Sequence, residues 1–206
     1  MQFALGILDE RVDPAQQKYV ADVQDEVRLM SQLVSELLAY AKTGIKTAEL
    51  KLVNVPLLPL VQDVCAREAA ICDVRIEIPP DSVALAQPEL LSRALANVVR
   101  NAARYATGVL NITVMRQQEK IRLSIADQGP GVPPEEIGRL FDPFYRLQPD
   151  RARATGGSGL GLAIVKTCIE ACQGTVSARN LSPSGLEISM ALRAGDEAAG
   201  SVGAGS

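Results

Sequence analysis

The chain has 206 residues, 47% of them apolar, with a net charge of −3 and a pI near 5.1. That apolar content supports a packed core and excludes wholesale disorder. The acidic balance and the scarcity of aromatics (4 Tyr, 3 Phe, no Trp) exclude a general nucleic-acid surface, which is basic and stacks bases on rings.

Residues 15–42 read as one long helix. Val20, Val23, Val27, Met30, Val34, Leu37 and Ala41 step alternately by three and four, which makes an a/d seam. Asp22, Asp25, Glu26, Arg28 and Glu36 flank it. Phe3, Ala4, Ile7 and Leu8 look like the last turns of an earlier helix, with Asp9 to Pro14 as the turn. The pattern predicts a helical hairpin whose apolar faces meet a second copy, so a homodimer through residues 1–43. Thr43-Gly44 is a helix stop and domain boundary.

A second domain is expected over 48–193. Leu50 to Val55 is strand-like, and Leu57 to Ala70 is a helix opened by Pro56 and Pro59. Val74 to Ile78 and Val83 to Ala86 alternate as strands. Pro88 to Tyr105 is an amphipathic helix with Leu91, Leu95, Val98, Val99 and Ala102 inward. Strands follow near 109–115 and 120–126, then a long Gly- and Pro-containing loop over 128–158, too long for a mere connector. Leu160 to Cys172 returns to helix, and Thr175 to Ala178 and Leu186 to Leu192 are the last strands. From Ala194 the Gly-, Ala- and Ser-rich tail is expected to be disordered. The fold class is α+β: a mixed sheet with helices on one face, preceded by the hairpin.

No run approaches the ~18 apolar residues of a membrane span, and no signal peptide is evident. Neither membrane contact nor nucleic-acid binding is expected of the chain. Cys65, Cys72, Cys168 and Cys172 form no CxxC pair, and with no histidine to complete a zinc shell they read as reduced thiols.

Three segments carry chemistry. Asn97 and Asn101 lie four apart and share a helix face. An Asn carbonyl is a neutral, hard oxygen donor suited to Mg²⁺, which keeps most of its waters and takes phosphate oxygens. Arg100 and Arg104 border that face. Asp127 ends an apolar strand and enters Gly129-Pro-Gly131. There a carboxylate can accept a hydrogen bond from an exocyclic amine, and glycines let a ring approach the backbone. Gly156 to Gly161 runs into a helix, so its amides make an anion site for a polyphosphate. No Lys-Ser/Thr follows, so it is not a Walker A loop. Alone, each segment reads equally as surface Asn residues, an Asp-x-Gly turn and a linker. Between the last two lies Phe141-Asp-Pro-Phe-Tyr-Arg146, an apolar plug leading to Arg151 and Arg153, as a lid over phosphates requires.

In this order the segments resemble the N, G1, F and G2 boxes of bacterial sensor histidine kinases, of the GHKL (Bergerat-fold) ATP-binding superfamily. The wording at 97–105 and 141–147 is most similar to the Cpx- and Rst-type envelope sensors. The resemblance implies a protein-histidine kinase that transfers the γ-phosphate of ATP to a histidine and then to an aspartate of a response-regulator receiver domain. It implies ATP and Mg²⁺ as cofactors, with Asn101 on Mg²⁺ and Asp127 on the adenine amine. Tyr105, Arg100, Arg104, Gly129 and Gly131 would line the nucleotide. Arg146, Leu147 and Arg151 would reach it from the lid. Gly157, Ser158, Gly159, Leu160, Gly161 and Leu162 would supply the phosphate-binding turn, and Phe141 and Phe144 would dock the lid on the hairpin.

Hydrolytic relatives place a Glu at the position of Asn97; Asn cannot activate water, which favours transfer to a protein. The chain departs from the family in having no histidine. By analogy the acceptor would fall about ten residues before Met1, so that a cytoplasmic fragment of an inner-membrane sensor would bind Mg-ATP without phosphorylating itself, its dimer weakened by truncation. The alternatives are a non-catalytic nucleotide-binding and dimerisation module, or a serine kinase of the anti-sigma type.

Overall fold

A computed structural model describes residues 50–69, 72–105, 108–147 and 159–196. The expected hairpin, Gly157, Ser158 and most of the tail lie outside them. Strands β1 (Val53–Pro56), β2 (Val74–Glu77), β3 (Val83–Ala86), β4 (Leu110–Gln117), β5 (Lys120–Ala126), β6 (Thr175–Asn180) and β7 (Leu186–Ala194) form one sheet. Helices α1 (Leu57–Glu68), α2 (Pro88–Tyr105) and α3 (Gly161–Ala171) cover one face.

The path runs β1-β3-β7-β5-β4-β2, and β6 pairs with β7 on the edge that β7 also offers to β3. All ladders are antiparallel except β2 with β4. A parallel pair needs a crossover, and β3 with α2 supplies it.

Alternation sends Ile121, Leu123 and Ile125 of β5, and Ile188, Met190 and Leu192 of β7, to the helix side, where all are buried. They meet Leu91, Leu95, Val98 and Val99 of α2 and Ile164, Val165 and Ile169 of α3. Each such side chain contributes roughly 1.5–3 kcal/mol by leaving water. Gln87 starts α2 by accepting the Leu90 N–H on Oε1 at 2.6 Å. Burial pushes the Cys65 thiol up to about 11, with Cys72 adding to it, and raises Cys172.

Several boundaries differ from expectation, most by one or two residues. Helix α1 closes at Glu68, where Ala69 N–H bonds Cys65 O at 3.0 Å. Strand β7 runs through Ala194, which pairs with Ala84, and the Gly195 N–H reaches Val83 O at 2.8 Å, so the strand passes the expected Leu192. Among the described residues no helix is long and apolar enough to cross a membrane.

Candidate nucleotide-binding site

Three pieces of chain meet at one end of the helical layer. The first is the C-terminal end of α2. Asn101 is half-buried, and no described residue hydrogen-bonds its amide. One turn earlier, Asn97 Nδ2 donates to Arg93 O at 2.9 Å. A Cβ built on Gly161, the first residue of α3, would lie 3.6 Å from Asn97 Oδ1, so the Asn face of α2 looks onto the N-terminus of α3.

The second piece is the turn after β5. Asp127 is buried, and its Oδ1 accepts the Gly129 N–H at 2.8 Å and the Leu186 N–H at 3.2 Å. No described residue donates to Oδ2, and no buried side-chain oxygen is left unpaired, so Oδ2 opens to solvent. One oxygen is thus pinned by the protein and the other is available to a ligand. A Cβ on Gly129 would come within 2.8 Å of Tyr105 O, so the loop passes directly under the end of α2 and only glycine fits. Tyr105 itself is half-exposed.

The third piece is the approach to α3. Gly159 has φ +74°, and its carbonyl accepts the Phe144 N–H at 3.0 Å. That bond ties the Phe-containing segment to the start of α3. Leu160 is buried and anchors the turn, Leu162 packs on the core, and the first amides of α3 are the helix end suited to an anion. Among the described residues no cluster of His, Cys, Asp and Glu is set to hold a metal by itself.

The other expected residues lie around these three pieces. The Arg100 guanidinium is held by Glu68 of α1 at 2.9 Å. Phe141 packs on its own domain's core, while Phe144 is 64% exposed at φ 65°. Leu147 is exposed, Arg104 is exposed, Arg146 is half-buried, and Arg151 lies outside the described residues.

Other residues escaped the sequence reading. Asn180 of β6 accepts the Val132 N–H on Oδ1 at 2.9 Å and donates Nδ2 to Val132 O at 2.5 Å. It thereby clamps the loop that follows Gly131, whose φ is +73°. Gly185, at φ +121°, leaves room for Asp127 O, which a Cβ would meet at 2.3 Å. The signal for Gly185 was the Ser-Pro-Ser-Gly turn; nothing local marks Asn180. Next to Phe144, the Tyr145 hydroxyl donates to Glu136, and Arg139 stacks 4.3 Å over the ring. The Glu136 carboxylate raises the pKa of Tyr145. A surface hollow of about 490 Å³ between α1 and α2, lined by Leu60, Arg67, Ser92 and Arg93, follows the Arg100 side of α2, so it is distinct from this site.

Residues 86–196 match the family model described as histidine kinase-, DNA gyrase B-, and HSP90-like ATPase. The chain belongs to that family. The sensor histidine kinase CpxA of Escherichia coli K12 is 31% identical over 193 residues, covering 91% of this chain and 42% of CpxA. RstB of the same strain is 33% identical over 162 residues, covering 74% of this chain and 36% of RstB. The chain therefore spans less than half the length of these relatives. Full-length ShkA, solved in complex with AMPPNP, aligns at a TM-score of 0.76 and 26% identity, over 95% of this chain and 42% of that one. The mycobacterial sensor histidine kinase MprB aligns at a TM-score of 0.61 and 26% identity, over 69% of this chain and 97% of that one. The kinship with sensor kinases read from the N, G1, F and G2 segments holds, as does the sheet with helices on one face.

Proposed function

We propose that this domain is the ATP-binding catalytic unit of a sensor histidine kinase. The observation that carries the reading is the divided carboxylate of Asp127, with Oδ1 fixed by two backbone N–H groups and Oδ2 open. Such an acceptor, set among glycines, selects an adenine by its exocyclic amine. The phosphate chain then runs toward the first turn of α3, where backbone amides and the helix dipole favour negative charge. Asn101 would offer its amide oxygen to Mg²⁺, and the ion would supply neutralisation of the charge that develops in phosphoryl transfer.

Asn97 carries no basic group and cannot take a proton from water, so the γ-phosphate is kept for a protein acceptor. These 206 residues contain no histidine, so the acceptor lies outside them. From that histidine the phosphoryl group passes to an aspartate of a receiver domain. Residues 1–43 pair two copies, and the whole works in the cytoplasm beneath a membrane sensor.

Calorimetric titration with a non-hydrolysable ATP analogue, with and without Mg²⁺, tests the site. Binding that depends on Mg²⁺ and weakens at least about tenfold in both Asn101→Ala and Asp127→Asn is expected, since each loss removes one charge-assisted or metal contact. Adding a histidine-bearing helical hairpin, inactive in its own ATP site, tests transfer: an acid-labile phosphoryl label on it is expected. Tight binding without transfer would leave a nucleotide-gated dimerisation module; no binding would overturn the reading.

A further inference from the structure

The sheet has a second face on which no helix of the described residues packs, and the strand registers place its side chains row by row. One row runs Asn54, Leu85, Arg193, Lys120, Gln117. The next runs Thr175, Ala191, Arg122, Met115, and the third Ser177, Ser189, Ser124, Thr113, Glu77. The last runs Arg179, Glu187, Ala126, Asn111, Arg75. Successive rows are about 7 Å apart along the strands.

The two ends of this face differ. In the last row Arg179 grips Glu187 with bonds of 2.8 and 3.0 Å, and Arg75 pairs with Glu77 at 2.9 Å. In the first two rows Lys120 sits directly opposite Arg193, with Arg122 beside them, and no described carboxylate forms an ion pair with any of the three. Glu119 of the β4–β5 turn and Asp196 beyond β7 lie close in sequence and pair with none of them. Directly opposite like charges destabilise a ladder, so the arrangement works against the fold. It is also a local cationic surface on a chain whose net charge is −3.

Met115, 59% exposed, lies directly across from Arg122. From Ser177 to Thr113 the third row is Ser and Thr, two of them hydrogen-bonded hydroxyl to hydroxyl at 2.8 Å, so the floor there is low and a partner backbone can approach it. Met and Arg are enriched in protein-recognition patches, and here an exposed Met lies beside an Arg that forms no ion pair among the described residues, although its charge helps to lower the Glu187 pKa. A base-stacking surface would need rings, and this face carries none.

We propose that the Lys120, Arg122, Arg193 and Met115 end of the helix-free face docks an acidic segment of a partner protein, with carboxylates on the three cations and an apolar side chain on Met115. The surface lies on the opposite side of the sheet from α2 and α3, so the inference is independent of the nucleotide reading.

The test is NMR titration of the isotope-labelled full chain with a model helical peptide carrying Glu residues around a central Leu, against the same peptide with Gln for Glu. The Glu peptide is expected to shift amides of β4, β5 and β7, and to weaken roughly tenfold as salt screens the contact. Lys120→Glu places a carboxylate opposite Arg193, so it should fold at least as well as the parent by thermal melting. It should nevertheless lose peptide affinity about tenfold while leaving ATP-analogue affinity unchanged. Equal binding of the Gln peptide, shifts located elsewhere, or no binding would overturn the proposal. So would phosphatidylserine vesicles or a DNA duplex producing the same shifts and displacing the peptide.

Discussion

Asn180 offers a test of how far nucleotide binding depends on a residue that touches no nucleotide in the proposed arrangement. Its amide makes both of its bonds to the backbone of Val132, one accepted at 2.9 Å and one donated at 2.5 Å. Each is worth roughly 0.5–1.5 kcal/mol net, and the solvent exposure of Asn180 favours the lower half of that range. Asn180→Ala should therefore cost about 1–2 kcal/mol in urea unfolding. The larger consequence concerns order. With the clamp gone, only the packing of the Val132 side chain into the core holds the loop, and part of the ordering of the Gly129–Gly131 turn falls to the binding step. If about 1.4 kcal/mol of that cost moves to the binding step, the Kd of an ATP analogue rises about tenfold. Calorimetry on the variant measures it, alongside the urea transition. A fall in stability of the expected size with unchanged affinity would refute the reasoning, because the loop would then be shown to hold its binding geometry without the clamp.

Two further outcomes follow from named contacts. Gln173 follows the last turn of α3 at φ 59°, a conformation that costs a side-chain-bearing residue about 1–2 kcal/mol. Gln173→Gly should raise the unfolding free energy in urea by roughly 0.5–1 kcal/mol after the added freedom of the unfolded chain is counted, and a lowered value would show that the Gln side chain stabilises the turn. The bond from Arg179, with a smaller contribution from Ser189, holds the Glu187 carboxyl below its ordinary 4.5, although burial pushes the other way. A depressed folded pKa adds stability above the unfolded value, and that stability is lost as pH falls through the folded one. Wild-type melting temperature should drop more steeply than that of Glu187→Gln below about pH 4.5, and parallel curves would mean that the pair contributes nothing.

The sequence alone determined what is periodic or contiguous. The 3.6-residue pattern of Leu91, Leu95, Val98, Val99 and Ala102 placed α2 at its observed limits, Pro88 and Tyr105, because burying one stripe is a local property of a helix. Alternation located β3 and β5 for the same reason. The Asn, Asp-Gly and Gly-rich segments were legible as well, since a backbone that must admit a ligand closely needs glycine at the point of approach.

Tertiary structure decided everything that depends on partners distant in the chain. Nothing in Val74 to Glu77 states that it pairs parallel with β4, nor does Leu186 to Ala194 announce a strand bonded on both edges. Only the packing of α1 on α2 brings Glu68 to Arg100. Asn180 is one polar residue among many until β6 lies beside the Asp127 turn. The opposition of Lys120 and Arg193 exists only through the β5–β7 register. Periodicity tells each element which of its faces is buried. The choice of neighbour comes from fitting all the faces into one sheet and one helical layer, a condition met by the chain as a whole.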